Sequence, residues 1–130
     1  MRVLIKDVQR YVANYYRVPI EIMTADDKVH ETAHIRYIAM YFARMMTSKS
    51  LPDIGYYFGG KDHTTILYGV RFIEDAMRTD RKIRDDVADI GTRIGAAIHN
   101  YHAARATVAM RDQAKTLWEM QVSAAMAGAL

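Results

Sequence analysis

The stretch Ser50-Leu51-Pro52-Asp53-Ile54-Gly55-Tyr56-Tyr57-Phe58-Gly59-Gly60-Lys61-Asp62-His63-Thr64-Thr65-Ile66 decides the fold. Ser50 suits an N-cap, because its hydroxyl accepts an otherwise orphaned backbone N–H. Pro52 follows in the first turn, where a missing N–H is harmless, and Asp53 complements the helix dipole. Gly59-Gly60 then permit a sharp reversal that a Cβ would obstruct. Asp62 can cap a second helix, which Ile66, Val70, Ile73 and Met77 anchor to a core. A short helix, a tight turn and a second helix opening on Asp, His and two Thr form a helix-turn-helix pattern. That pattern presents polar side chains to the edges of DNA bases. His63 and the threonine hydroxyls can donate or accept there, and a threonine methyl can pack on a thymine methyl. Backbone amides at the helix start could meet a phosphate, with Lys61 adding charge. With the apolar stripe inward, Lys61, His63, Thr64 and Tyr68 are left on the exposed side or the tip. The plainer alternative is an ordinary capped helix start facing solvent.

Working outward, Val8, Val12 and Tyr15/Tyr16 recur at helical spacing, which predicts a first amphipathic helix over about residues 5–16. Pro19 interrupts it, Ile20-Glu21-Ile22-Met23 reads as a short helix or turn, and residues 24–30 read as a polar loop. Ile35, Ile38, Ala39, Phe42, Met45 and Met46 make the clearest core-facing stripe. A further helix is expected from Asp80, with Thr79 as its cap. Its apolar positions, Ile83, Val87, Ile90, Ile94, Ala97, Tyr101, Ala104 and Val108, alternate by four and three as heptads do. Two readings of that helix stand: packing on its own domain, or dimerisation, against which its small central alanines weigh. The Ala- and Met-rich tail from Met110 to Leu130, with Trp118 its large aromatic, reads as another helix.

At 130 residues the chain fits one domain with an appendage. Its 51% hydrophobic and 25% charged content is that of a globular protein, and two prolines favour an all-α fold. With no cysteine, disulfides and thiolate metal sites are excluded, and a reducing cytoplasm fits. No apolar run approaches the roughly 18 residues of a membrane span, and the N-terminus lacks a signal-peptide pattern. The net charge of +3 is compatible with nucleic-acid binding but too mild to argue for it alone.

Two enzyme-like motifs also occur. Gly55-Tyr-Tyr-Phe-Gly-Gly60-Lys61-Asp62 nearly matches a P-loop, but Asp62 stands where a magnesium-ligating Ser or Thr belongs. No strand-like run precedes Gly55, so no nucleotide is expected. His30-Glu31-Thr32-Ala33-His34 matches H-E-x-x-H, which would make a small zinc hydrolase with Glu31 as base. A third ligand would have to come from His63, Glu74 or His99, none at a recognised spacing. No metal and no cofactor are therefore expected.

Gly59-Gly60-Lys61-Asp62-His63-Thr64-Thr65-Ile66 resembles the signature G-G-R-D-H-T-T-V of the C-terminal DNA-binding domain of the bacterial replication initiator DnaA. Val12-Ala13-Asn14-Tyr15-Tyr16 resembles that family's first helix, and Ser50-Leu51-Pro52-Asp53-Ile54-Gly55 its helix before the turn. Arg71-Phe72-Ile73-Glu74 resembles the R-K-I-E that follows, so the likeness spans roughly residues 5–88. The resemblance implies an all-helical domain that reads duplex DnaA boxes. It places Asp62, His63 and Thr64 on bases in the major groove, with an apolar contact from Pro52. It places Lys61, Thr65, Arg44 and Thr47 near phosphates, and aligns Arg36 with the last basic residue of the family's basic loop. Where that loop is arginine-rich, this chain has Asp26-Asp27-Lys28-Val29-His30-Glu31, with only Lys28 able to substitute. Lys61 replaces the signature Arg, turning a bidentate contact into a point charge.

The expectation is thus a DnaA-like helix-turn-helix domain over 1–88 and a long helical extension over 89–130. It would stand alone, without the family's AAA+ ATPase, in the bacterial cytoplasm with the nucleoid. It would bind double-stranded DNA and regulate replication initiation or transcription without catalysis, with a homodimer through the C-terminal helix as a second expectation. A helical protein-interaction module on the same scaffold is the alternative.

Overall fold

The computed structural model describes residues 3–128, with side chains described through Asn100 and at Gln113, Thr116, Leu117, Glu119 and Met120. The described elements are all helical: α1 (Ile5–Tyr16), a 3-10 turn (Ile20–Thr24), α2 (His30–Met46), α3 (Leu51–Tyr57), α4 (His63–Thr79) and α5 (Arg81–Gly128). A compact unit covers Arg2–Gly95, and a second begins at Ala96. The boundary read at 88/89 therefore falls inside α5. None of the described helices is long and apolar enough to cross a membrane.

The first helix matches its predicted span. It stops because Arg17 takes a left-handed conformation, φ 56 and ψ 45, and its N–H closes on Ala13 and Asn14 carbonyls. Pro19 then starts the 3-10 turn that buries Met23. Helices α2 and α4 form the main packed pair. His34 and Tyr37 meet Phe72, Tyr37 meets Tyr68, and Gly69 lies against Tyr37 and Met40, so the two helices run antiparallel. A Cβ at Gly69 would come within 2.8 Å of the Met40 sulfur and the Tyr37 ring; glycine is what permits this approach. Ile66, Val70 and Ile73 bury the inner face of α4 as expected. Each is worth about 1.5–3 kcal/mol when fully removed from water.

The stripe on α2 is shifted from its predicted line. Ile38, Ala39 and Phe42 are buried, but Met45 is 61% exposed, while Met40 and Ala43 are fully buried. The helix faces α1 on one side and α4 on another, so its apolar sector is wider than one seam and rotates past Met45.

Helix α5 departs most from the sequence reading. Its cap is Asp80, not Thr79: the carboxylate accepts from the Lys82 and Ile83 amides at 3.0 and 3.3 Å, and Thr79 closes α4. No break separates a tail helix, since α5 is continuous to Gly128. Ile83, Val87, Ile90 and Ile94 are buried within the unit that ends at Gly95, so these heptad positions pack on their own domain and are not a dimer seam. Ala97 is half-buried; the side chains of Tyr101, Ala104, Val108 and Trp118 lie outside the described residues. A polar network reinforces the docking of α5 on α1. Tyr16 donates to Asp86 at 2.7 Å and Tyr15 to Asp89 at 3.0 Å, and Lys82 and Arg93 pair with those carboxylates at 2.9 and 3.1 Å.

Candidate nucleic-acid interface

Helix α3 begins as its sequence dictates. Ser50 Oγ accepts from the Asp53 amide at 3.3 Å and Pro52 occupies the first turn. Ile54 and Phe58 are wholly buried and fix α3 to the core. From α1, the buried Gln9 donates to the Tyr57 carbonyl at 2.9 Å and so satisfies one orphan acceptor at the end of α3. The reversal uses Gly59 at φ 83 and Gly60 at φ 74, and the Lys61 amide returns to the Gly55 carbonyl at 3.0 Å. A Cβ at Gly59 would also lie 2.6 Å from the Thr24 carbonyl oxygen, so the turn sits directly against the end of the 3-10 turn. Asp62 then caps α4, accepting from the Thr64 amide at 3.2 Å.

The tip so formed is polar and open. Asp62, His63, Thr64 and Thr65 are all exposed. His63 Nδ1 lies 2.7 Å from Asp62 Oδ1, a distance at which the ring N–H donates to the carboxylate. Among the described residues no protein group hydrogen-bonds the hydroxyls of Thr64 or Thr65. These two hydroxyls can therefore exchange water for a ligand's donors and acceptors without breaking any protein bond. Pro52 is exposed at the start of α3. The antiparallel pairing brings the last turn of α2 to the same end as the first turn of α4. Arg44 is exposed there, and Thr47 is half-buried with its hydroxyl donating to the Ala43 carbonyl at 2.6 Å. Lys28 is exposed in the loop before α2 and has no partner among the described residues.

Two expected phosphate partners are placed differently. Arg36 is 3% exposed and donates to the Ile22 and Asp27 carbonyls at 3.3 and 2.8 Å. The Lys61 ammonium is not left at the exposed side. It donates to the Ala25 and Phe58 carbonyls at 2.9 and 2.8 Å. Burial, helped by the nearby Arg36 charge, pulls the Lys61 ammonium below the usual lysine range. Asp27 is held below the usual carboxylate range, first by the Thr32 hydroxyl and then by the Val29 amide and Arg36. Sequence spacing carried no sign of this, because every acceptor on the two cations but one is a backbone carbonyl. Gln9, a buried polar residue between Val8 and the next helical turn, was likewise missed for want of a visible partner.

The competing motifs find other uses. Gly55 lies within α3, and the lysine of the P-loop-like run is bonded to carbonyls. His30 and His34 stand 6.3 Å apart between ring centroids, and His34 packs on Phe72 at 4.8 Å. Among the described residues no three His, Asp or Glu side chains are placed to hold a metal.

Residues 5–73, from α1 into the last turns of α4, match the family model described as the bacterial dnaA protein helix-turn-helix. The chain belongs to that family. The DnaA-family segment contains the whole turn and tip described above. Chromosomal replication initiator protein DnaA of Cereibacter sphaeroides is 44% identical over 86 residues, covering 66% of this chain and 19% of that protein. The protein of the same name from Wolbachia pipientis is 40% identical over 85 residues, covering 65% of this chain and 18% of that protein. The Agrobacterium fabrum protein is 44% identical over 86 residues, with 66% and 18% covered. The match thus spans less than a fifth of the length of these relatives.

Proposed function

We propose that this chain binds duplex DNA sequence-specifically at DnaA-box-like sites, through the first turn of α4. In this reading Asp62, His63 and Thr64 meet base edges and Pro52 adds an apolar contact. Thr65, Arg44, Thr47 and Lys28 lie toward phosphates, while Arg36 and Lys61 are assigned to the framework. The protein would act by occupying sites, in replication initiation or transcription at the bacterial nucleoid, with no reaction of its own. The observation that carries the reading is the open, polar tip. Its two threonine hydroxyls are uncommitted and Asp62 and His63 bond only within the tip, yet a cap and two left-handed glycines hold it on a packed helix. Dimerisation through α5 would have to use positions beyond Ile94, since the earlier ones are buried in the domain.

The test is fluorescence anisotropy with a DnaA-box duplex and a scrambled duplex over a salt series. Box-selective binding that weakens with salt is expected, because each neutralised phosphate contributes about 0.9 to the slope of log K against log salt. Equal, salt-independent signals on both duplexes would refute the assignment and favour a protein-interaction module.

A further inference from the structure

The loop between the 3-10 turn and α2 is tied down from two sides. Arg36, rising from α2, donates to the carbonyls of Ile22 and Asp27 and to the Asp27 carboxylate. Lys61, the last residue before the α4 cap, donates to Ala25 in the loop and to Phe58 at the end of α3. The loop end also abuts the turn, since no Cβ fits between Gly59 and the Thr24 carbonyl. The Phe58 carbonyl, on a buried residue, would otherwise be an orphan at a helix C-terminus, where a cation is favoured. The two cations thus add side-chain bonds among three segments that meet at the turn: the loop, the end of α3 and the start of α4.

We infer that Lys61 and Arg36 are positioning residues for DNA reading, clamping residues 22–27 against the Gly59–Gly60 turn and so fixing the direction in which α4 presents Asp62, His63 and Thr64. The inference rests on the DNA-binding reading above and deepens it. Its physical content is a difference in tolerance. Base-edge hydrogen bonds weaken steeply with angle, so a small swing of the tip costs discrimination. Attraction to phosphates acts over about a Debye length and survives such a swing. Losing the clamp therefore reduces selectivity and leaves the salt dependence in place, whereas losing a phosphate contact does the reverse.

Lys61→Met keeps the aliphatic stem and removes the ammonium; Lys61→Arg keeps the charge and the donors. The full chain carrying each change is titrated with the box and scrambled duplexes across the same salt series, and amide exchange is followed in free protein. For Lys61→Met the expected result is a roughly tenfold loss of box-over-scrambled selectivity. The salt slope should stay unchanged, and exchange should accelerate at residues 25–29 and 58–62. Lys61→Arg should restore selectivity. Should Lys61→Met prove unstable, Lys61→Gln, which still donates to a carbonyl, should show an intermediate loss at the same slope. An equal loss on both duplexes with the slope reduced by about 0.9 would make Lys61 a phosphate contact and overturn the clamp. Unchanged selectivity in Lys61→Met would overturn it too. Wild-type protein without box preference would instead remove the DNA-reading itself, and the clamp's role with it.

Discussion

Helices α4 and α5 start alike and are used in opposite ways. Each is capped by an aspartate whose carboxylate accepts backbone amides, Asp62 for α4 and Asp80 for α5. Past the cap of α5, two carboxylates are committed to α1: Asp86 and Asp89 accept from Tyr15 and Tyr16, while the exposed Lys82 and Arg93 pair with them and Arg93 lies over the Tyr15 ring. Past the cap of α4, His63, Thr64 and Thr65 face solvent with no bond to another element. The same local chemistry makes a docking element in one place and an open tip in the other. What separates them is whether a neighbouring helix lies over the turns that follow the cap, as α1 does over Asp86 and Asp89.

The comparison breaks most visibly if α5 is not in fact core. Ile90 is 1% exposed, so Ile90→Ala should lower the unfolding free energy by about 2–5 kcal/mol. Urea unfolding that left the midpoint in place would return the helix to the role of an appendage. At the α4 tip the expected signs are reversed. His63→Ala or Thr64→Ala should change stability by no more than about 0.5 kcal/mol. The same changes should cost about 1–3 kcal/mol of discrimination at one or two base pairs. Selection from randomised duplexes would show this, and an unaltered preference would strip these residues of a base-reading role.

The smallest effect concerns pH and sharpens the α5 side. Burial, then the hydrogen bond to Asp89, pushes the Tyr15 phenol up to about 12 from 10.0, and burial with Asp86 pushes Tyr16 up as well. Below pH 10 both phenols are protonated folded and unfolded, so their contribution is complete there. Above it the unfolded chain ionises first, and stability falls as pH rises through the folded-state values. Urea unfolding at about pH 9 and about pH 11 should show this loss, and Tyr15→Phe with Tyr16→Phe should flatten it. An equal pH dependence in the double variant would mean the network does not hold α5.

Much of the site was legible because its signals are local. Ser50, Pro52, the two glycines and Asp62 each act on backbone within four residues, so capping and turn rules placed them correctly. The α2 stripe was less legible, because a helix touched on two sides buries Met40 and Ala43 as well as one seam, and leaves Met45 out. The heptad pattern of α5 was read correctly as an apolar face, but periodicity does not name the partner. Ile83 to Ile94 find theirs in the same domain.

The sequence by itself determined the helical class, the helix-turn-helix and the family likeness, since these follow from periodicity, caps and an eight-residue motif. Only the tertiary structure decided which charges are spent. Lys61 and Arg36 look like surface cations in the sequence and turn out to hold backbone carbonyls. A carbonyl has no residue type to read, so which cation meets it is settled only when distant segments pack together.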